Sequence, residues 1–265
     1  MDIEGRVAVV TGAGSGIGRA LAQVLVAGGA SVVAGDIDSD TATQTAADIG
    51  DRAVGVGADA AAQSGIATLL DTARDAFGPV DIYVANAGVI GAPGLGSEGD
   101  WDRVLEVNLR AHIRAADALL PEWERRGSGY FVSVASAAGL LTQVGAAGYA
   151  VSKHAAVGFA EWLAITYGDN GIGVTCVCPM GVDTPLLGDI RDSADPVARV
   201  AADSITTAGE VLSAQRVAEL TVEAVRTDRF MVLPHPVVVD MFGGKAADHD
   251  RWIAGMRRYQ RSLRG

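Results

Sequence analysis

The chain has few of the residues that mark secreted, metal-binding or membrane proteins. Cysteine occurs only at Cys176 and Cys178 among 265 residues. Two cysteines cannot supply a four-ligand zinc site. They are two residues apart on an expected strand, so both side chains would lie on the same face of the sheet, a position that does not suit a disulfide between them. No apolar run approaches the ~20 residues that cross a bilayer, and no signal-peptide core follows Met1. We therefore expect buried, reduced thiols, no metal site and a cytoplasmic protein.

Positive charge is also scarce. The sequence has 21 lysines and arginines against 32 aspartates and glutamates, which gives a net charge of −11. This balance argues against a nucleic-acid partner, which would need a basic face. Arginines nevertheless cluster near the carboxyl end, where a solvated helix face or a contact between subunits is favoured over an anion site. They are Arg251, Arg257, Arg258, Arg261 and Arg264.

Aromatic residues make up only 5% of the chain, whereas apolar residues make up 49%. Such a composition suits a parallel sheet packed with small aliphatic side chains. Apolar, strand-like runs alternate with segments of helical periodicity, which predicts β-α-β units. The expected fold is one α/β domain over residues 1–265, a doubly wound Rossmann-like sheet of about seven parallel strands with helices on both faces. The predicted strands are 6–11, 31–36, 53–57, 80–85, 129–134, 172–178 and 229–233.

The first predicted strand runs into a glycine-rich turn and then into a helical pattern. Glycines permit positive φ and let backbone N–H groups approach a ligand, while the amino end of the helix favours a pyrophosphate. Ile17 occupies the last glycine position of G-x-G-x-x-G, so T-G-x-x-x-G-x-G describes the turn better. A turn that only connects two elements is the alternative. The predicted dinucleotide site includes Gly12, Ser15, Gly16, Ile17 and Gly18.

The second predicted strand ends in Asp36. In a parallel dinucleotide fold, a carboxylate at this point accepts hydrogen bonds from both adenosine ribose hydroxyls and repels a 2′-phosphate. Ser15 in the glycine turn and Ile37-Asp38 supply no basic side chain for that phosphate. The sequence therefore favours NAD over NADP.

Tyr149 and Lys153 are four residues apart, which places both on one face of a helix. A free phenol has a pKa of about 10, and a neighbouring cation lowers the pKa by stabilising the phenolate. Tyr149 then becomes usable as a general acid and base. Alone, this spacing is more often a solvated helix face, but here it accompanies the glycine turn and the acid that follows it.

With these motifs in this order, the chain resembles the short-chain dehydrogenase/reductase family from about residue 5 to about residue 230. The resemblance implies that Asn108 and Ser136 complete the catalytic set with Tyr149 and Lys153. Ser136 would donate a hydrogen bond to the substrate oxygen, Lys153 would also hold the nicotinamide ribose, and Asn108 would hold a water beside Lys153.

The resemblance also implies further contacts with the cofactor. Asp59 matches the family's acid beside the adenine ring, and Asn86-Ala87-Gly88 matches its fourth-strand motif. The stretch from Pro179 to Thr184 resembles the cofactor loop after the sixth strand, in which Thr184 would bond the carboxamide. Met180 departs from the usual Pro-Gly and is expected to project its thioether toward the substrate.

Two segments lie outside this transfer of roles. Residues 185–209 are predicted to form a mobile lid over the substrate, with Leu186, Leu187 and Ile190 as an apolar stripe at helical spacing. Residues 234–265 form an atypical extension in which Lys245 to Leu263 is predicted as an added helix. None of the four histidines is assigned a role.

The expected function is NAD-dependent interconversion of a secondary alcohol and a ketone, without nucleic-acid or membrane partners and in a homodimer or homotetramer. Helices near 101–126 and 147–168 would form the subunit contacts. An apolar substrate is indicated by Leu140, Leu141, Val144, Met180, Leu186 and Leu187. The alternatives are an NADP-dependent reductase of a carrier-bound 3-oxoacyl group, which Asp36 disfavours, and a non-catalytic NAD-binding scaffold.

Overall fold

A computed structural model describes residues 1–264. Within them, buried apolar runs form seven parallel strands in the spatial order β3-β2-β1-β4-β5-β6-β9, and β7 and β8 form a separate parallel pair. The strands are β1 (Val7–Thr11), β2 (Ser31–Asp36), β3 (Ala53–Gly57), β4 (Ile82–Ala85), β5 (Gly129–Val134), β6 (Ile172–Val177), β7 (Val182–Asp183), β8 (Leu212–Ser213) and β9 (Met231–Val232). All seven predicted strands of the main sheet are confirmed.

Helices connect the strands and cover both faces of the sheet. They are α1 (Gly16–Ala27), α2 (Ser39–Ile49), α3 (Gln63–Ala76), α4 (Glu98–Leu105), α5 (Ala111–Arg126), α6 (Ala138–Leu141), α7 (Ala147–Tyr167), α8 (Pro185–Arg191), α9 (Pro196–Thr206), α10 (Ala214–Arg226), α11 (Val237–Ala247) and α12 (His249–Ser262). A π-helical turn, Glu106–Arg110, joins α4 to α5, and a 3-10 turn, Gly168–Asn170, follows α7.

The core consists of two apolar layers, one on each face of the sheet. Leu69 of α3, Leu119 of α5 and Leu163 of α7 pack on one face. Leu21 of α1 and Val222 of α10 pack on the other. The doubly wound architecture predicted from the sequence is therefore confirmed.

β1 pairs in parallel with β2 on one side and with β4 on the other, so the strand order reverses between β1 and β4. In open parallel sheets, such a reversal leaves a crevice beyond the carboxyl ends of the strands, where ligands bind. The turns after β1, β2, β4, β5 and β6 open into this crevice and carry the candidate residues.

The carboxyl-terminal extension differs from the single helix predicted over 245–263. Two helices, α11 and α12, are separated at Asp248, whose extended backbone breaks the helix. The Asp248 side chain accepts a hydrogen bond from the Arg251 N–H at 2.9 Å and so caps α12. The added structure therefore begins eight residues earlier than predicted, at Val237.

Residues 1–264 lack two features that would indicate a membrane or metal-binding protein. None of their helices combines the length and the apolar character that crossing a bilayer requires. Nor do their histidine, cysteine, aspartate and glutamate side chains form a cluster of three that could hold a metal ion.

Candidate active site

The glycine turn between β1 and α1 forms a cradle for a phosphate group. Gly12 has a φ of 64°, which favours glycine, and a Cβ atom at Gly18 would lie 2.1 Å from the Gly12 carbonyl oxygen. The N-cap of α1 is Ser15, and among the described residues no side chain caps the helix. The N–H groups of its first turn are thus available to an anion, as the predicted pyrophosphate site requires.

The turn after β4 holds the cradle in place. The Asn86 side-chain amide donates to the carbonyl oxygens of Thr11 at 2.8 Å and Gly12 at 3.3 Å. The Thr11 hydroxyl accepts from the backbone N–H groups of Asn86 and Ala87, at 3.0 and 3.1 Å. Because β1 and β4 lie side by side, these bonds bring Asn86-Ala87-Gly88 against the glycine turn.

Asp36, at the end of β2, is fixed toward the same turn. One carboxylate oxygen accepts the Gly14 N–H at 2.8 Å, and the other accepts the Asp38 N–H at 3.1 Å. The nearby guanidinium of Arg19 is occupied by the Gly14 carbonyl, at 2.5 Å, and the Thr45 hydroxyl, at 3.0 Å. The carboxylate therefore presents a fixed negative charge at the place predicted for the ribose.

Asp59, which follows β3, lies at the exposed rim of the same crevice. Its carboxylate accepts the Ala61 N–H at 2.9 Å, which orients the side chain along the loop. Its contact with the adenine ring, implied by resemblance, stays a prediction.

Tyr149, Lys153 and Ser136 meet at the centre of the crevice and are all buried. The Lys153 ammonium donates to the Val134 carbonyl oxygen at 2.9 Å and lies 5.8 Å from the centroid of the Tyr149 ring. The Ser136 hydroxyl accepts the Ala138 N–H at 3.1 Å, so that α6 orients it. The structure thus brings the predicted acid-base pair and the predicted hydroxyl donor together.

The expected effect of Lys153 on Tyr149 is not found in this structure. Burial raises the pKa of Tyr149, and Ser136 opposes that rise. Burial also lowers the pKa of Lys153 to about 8. Desolvation penalises both charged forms, because a phenolate and an ammonium each lose hydration on burial, and the ammonium donates to the Val134 carbonyl instead of to the phenol. Lys153 still carries its positive charge below pH 8, so it can stabilise a phenolate once the proton leaves.

Asn108 lies in the π-helical turn and is fully buried. Its side-chain oxygen accepts the Val89 N–H at 2.9 Å, and its amide donates to the Val89 carbonyl at 2.8 Å and to the Ser152 hydroxyl at 3.0 Å. A Cβ atom at Gly88 would lie 3.3 Å from this oxygen and 3.5 Å from the Lys153 ammonium. The amide therefore holds the β4 turn beside Lys153, which adds a positioning function to the role implied by resemblance.

The crevice is one continuous cavity of about 940 Å³ that extends from Asp36 past Tyr149 to the carboxyl-terminal helices. Five of the six apolar residues expected around the substrate line it: Leu141, Val144, Met180, Leu186 and Leu187. Leu140 does not. Its side chain is buried in the core instead, because the short helix α6 turns it toward α7 and α11.

The sequence profile of the short chain dehydrogenase family matches residues 6–195. The chain belongs to the short-chain dehydrogenase family. Its relatives include cis-4-hydroxycyclohexanecarboxylate dehydrogenase of Sinomonas cyclohexanicum, 37% identical over 70% of this chain and 76% of that protein. Another is 1-deoxy-11-beta-hydroxypentalenate dehydrogenase of Streptomyces exfoliatus, 35% identical over 87% of this chain and 83% of that protein.

Solved structures also resemble this short-chain dehydrogenase. A family member from Burkholderia phymatum, crystallised in complex with NAD, superposes with a TM-score of 0.85. The two sequences are 30% identical, and the alignment covers 94% of this chain and 96% of the other. The fold is therefore that of a nicotinamide-dinucleotide-binding oxidoreductase.

In this short-chain dehydrogenase, the loop after β6 is held by a histidine that sequence reasoning left unassigned. His235 is buried, and its ring nitrogens bond the Met180 N–H at 3.1 Å and the Gly181 carbonyl oxygen at 2.9 Å. The imidazole therefore accepts through Nδ1 and donates through Nε2. The loop brings the Thr184 methyl group to 3.1 Å from a Cβ atom placed at Gly16, so Thr184 lies against the cradle, while its bond to the carboxamide stays a prediction.

Sequence reasoning also missed the part that the extension plays in the cavity. Side chains of α11 and α12 line its far end, opposite the predicted lid helices α8 and α9. A spacing of four and then three residues in α12 was the available signal, since it places three apolar or aromatic side chains on one face. The missed lining residues are Met241, Trp252, Met256 and Tyr259.

Proposed function

We propose that the protein is an NAD-dependent oxidoreductase that interconverts a secondary alcohol and a ketone. One observation carries the proposal: Tyr149, Lys153 and Ser136 line the same cavity as the glycine cradle and Asp36. A proton donor and a dinucleotide site that share one cavity suit coupled transfer of a proton and a hydride.

The cradle and its donors fit a nicotinamide dinucleotide. The first-turn N–H groups of α1 would hold the pyrophosphate, and Asp36 would accept the adenosine ribose hydroxyls. Lys153 would bond the nicotinamide ribose, and Thr184 the carboxamide. When bound, the coenzyme supplies the hydride chemistry. The fixed carboxylate of Asp36 supports NAD rather than NADP, because it would repel a 2′-phosphate.

The proton is assigned to the Tyr149 hydroxyl oxygen. In the direction of oxidation, the phenolate accepts the proton of the substrate hydroxyl, and in reduction the phenol returns it. The Lys153 ammonium stabilises the phenolate within a site where water is largely excluded. Ser136 donates a hydrogen bond to the substrate oxygen as negative charge develops there.

Two further elements support these steps. Asn108 and Lys153 flank Gly88, where the water predicted beside Lys153 would connect the site to solvent. The helices α8 and α9 within 185–209 would act as the predicted lid. Leu187 and Ile190 pack against Ala202 beside the cavity, so closure would exclude water from the reacting atoms.

The Tyr149→Phe variant tests the acid-base assignment. We expect turnover to fall by roughly 10²–10⁴-fold or more, because positioned acid-base groups contribute about that much. The dissociation constant for NADH, measured by fluorescence, should stay within about 2-fold, since the ring is kept. Turnover is followed by nicotinamide absorbance with a panel of secondary alcohols.

Tyr167→Phe is the matched control, because Tyr167 lies on the same helix, α7, and does not line the cavity. It should keep wild-type turnover. Substantial turnover in Tyr149→Phe would refute the assigned role. A wild-type protein that binds NADH and oxidises no alcohol would favour the non-catalytic scaffold instead.

A homo-oligomer is proposed on family grounds. The helices predicted for the contact, α5 and α7, expose apolar side chains that include Ile113, Trp162 and Ile165. Burying them against a second copy would remove apolar area from water. Sedimentation velocity checks this, and a monomer at micromolar concentration would exclude it. The cytoplasmic location remains a prediction, supported by the free, buried thiols of Cys176 and Cys178, whose sulfur atoms lie 3.8 Å apart.

A further inference from the structure

The helix α12 lies over the far end of the cavity that contains Tyr149. Trp252, Met256 and Tyr259 project from one face of this helix and line the cavity together with Met241 of α11. Their spacing of four and three residues places them on consecutive turns of that face. The arginines of α12 are exposed on its other sides, with Arg251 and Arg258 as examples.

Polar contacts fix this helix pair to both sides of the substrate end. The Tyr259 hydroxyl donates to the Ser204 carbonyl oxygen of α9 at 3.0 Å and lies 2.6 Å from the Thr207 hydroxyl oxygen. The Lys245 ammonium of α11 donates to the Leu140 carbonyl oxygen of α6 at 2.5 Å. The extension is therefore bonded to the lid region and to the segment that carries Ser136, and it closes the space between them.

The wall that surrounds this end of the cavity is uncharged. Among the described lining residues, the charged ones are Asp36, Asp59, Arg103, Glu106 and Lys153. Asp36 and Asp59 lie at the adenosine end. Glu106 lies near Ala61, since Arg114 bonds both Glu106 and the Ala61 carbonyl, and Arg103 lies on α4, which is not one of the helices that α11 and α12 bond. Lys153 is the catalytic lysine.

The segments around α12 contribute aliphatic side chains together with the uncharged polar residues Thr142, Gln143, Ser204 and Thr207. Leu141, Val144, Leu187, Ile190 and Ile205 line the cavity with Trp252 and Met256. An indole ring and a thioether bind apolar surfaces of varied shape, the first through a large flat face and the second through its flexibility. A carboxylate or a sulfonate placed here would lose its hydration without gaining a cation.

We propose that α12 is the roof of the substrate pocket and that Trp252 and Met256 bind the ring or branched hydrocarbon body of an uncharged secondary alcohol. This inference rests on the proposed function, because it identifies the substrate class of the same site. Tyr259 positions the roof by bonding it to α9.

Steady-state kinetics with a bulky and a small secondary alcohol test whether α12 binds the body of the substrate. With NAD as coenzyme, kcat/KM is measured for 4-tert-butylcyclohexanol and for 2-butanol in the wild-type, Trp252→Ala and Met256→Ala proteins. We expect each variant to lose roughly 10–100-fold on the bulky alcohol and less than about 3-fold on 2-butanol, because the small alcohol does not reach the roof. Ile253→Ala is the matched control, since Ile253 is adjacent on α12 and 52% exposed.

A third probe tests the exclusion of charge. The wild-type protein should oxidise cis-4-hydroxycyclohexanecarboxylate with a kcat/KM at least roughly 10-fold below that for 4-tert-butylcyclohexanol. A higher value for the carboxylate would overturn the assignment of an uncharged substrate. Equal losses of kcat/KM for the bulky alcohol in Trp252→Ala and Ile253→Ala would overturn the assignment of α12 as the roof. Thermal melting and the NADH dissociation constant show whether each variant is folded, and Trp252→Phe provides a milder change.

Failure of the proposed function is distinguishable from failure of this inference. If the wild-type protein oxidises none of the alcohols, the proposed function fails. Calorimetric titration of 4-tert-butylcyclohexanone into the NADH-loaded protein then tests separately whether α12 binds this hydrocarbon body. Weaker binding in Trp252→Ala than in Ile253→Ala would support the roof, whereas equal binding, or no binding to the wild-type protein, would overturn it.

Discussion

Replacing Asp36 by serine should change which dinucleotide the protein binds. The carboxylate is held by the N–H groups of Gly14 and Asp38 at 2.8 and 3.1 Å, so it cannot turn away from an incoming 2′-phosphate without losing both bonds. Like other phosphate monoesters, that phosphate carries a charge of roughly −1.5 to −2. The nearest cation, Arg19, is already engaged by Gly14 and Thr45.

The size of the effect follows from this geometry. At a separation of about 4 Å and an effective dielectric constant of about 20, two like unit charges repel by about 4 kcal/mol. Partial exposure of Asp36 and salt screening reduce this to ~2–3 kcal/mol, which corresponds to roughly 30–150-fold in affinity. The wild-type protein should therefore bind NADH at least that much more tightly than NADPH.

In Asp36→Ser, the affinity for NADPH should rise by roughly 10–100-fold as this repulsion is removed. The affinity for NADH should fall about 10-fold, because hydrogen bonds to a charged group contribute about 1.5–3 kcal/mol and the ribose loses its anionic acceptor. Both dissociation constants are measured by the fluorescence of the bound nicotinamide at fixed ionic strength. The rise in NADPH affinity and the fall in NADH affinity both shift the ratio of the two affinities toward NADPH.

Asp38→Ser is the control for general electrostatics. Asp38 is two residues away, and its carboxylate caps α2 through the N–H groups of Asp40 and Thr41. Serine also caps helices well, so the variant removes one negative charge without removing the cap. Comparable NADH and NADPH affinities in the wild-type protein, or the same shift of their ratio in both variants, would refute the reasoning.

Two further predictions concern histidines. Burial, and then the Lys153 charge, lower the pKa of His112 from 6.5 to about 3, so the folded state keeps this ring neutral while the unfolded state protonates it. Its contribution to the free energy of unfolding is present above about pH 6.5 and is lost as the pH falls toward 3. Between pH 6.5 and pH 5, the free energy of unfolding in urea should therefore fall by ~2 kcal/mol more for the wild-type protein than for His112→Phe. An equal pH dependence of the two proteins would contradict this. His235→Phe leaves the Met180 N–H and the Gly181 carbonyl without partners at about 1–3 kcal/mol each, so it should lower stability and weaken NADH binding roughly 3–30-fold. The exposed His249 gives the control, His249→Phe, and equal NADH affinity in both variants would show that His235 does not position the loop.

The strands and the glycine cradle were predictable because local sequence determines them. Runs such as Val7–Thr11 are buried throughout and apolar except for Thr11, since parallel strands are covered on both faces, and Gly12 is required by a backbone angle. Tyr149 and Lys153 could be placed on one helix face from their spacing alone. Their pKa values could not be predicted in this way, because burial depends on what the remaining chain packs around them.

The extension shows the same limit. Its helical periodicity was readable, but the surface on which α12 packs depends on contacts of Tyr259 with the end of α9 and with Thr207, more than 40 residues earlier in the chain. The arginines of α12 indicated a solvent-exposed face, and they gave no sign that Trp252, on another face of the helix, lines the cavity. His235, between two prolines, gave no periodic signal, because its partners are backbone atoms of a distant loop.

The lining that α12 contributes comes from a stretch outside residues 6–195, where the family profile matches. The machinery for the coenzyme and the proton is therefore encoded separately from part of the enclosure around the reacting molecule. If α12 forms the roof proposed above, homologues with the same residues around Tyr149 but different carboxyl-terminal helices would accept molecules of different shape. Comparing those helices would then indicate more about the shape of the substrate than comparing the residues around Tyr149.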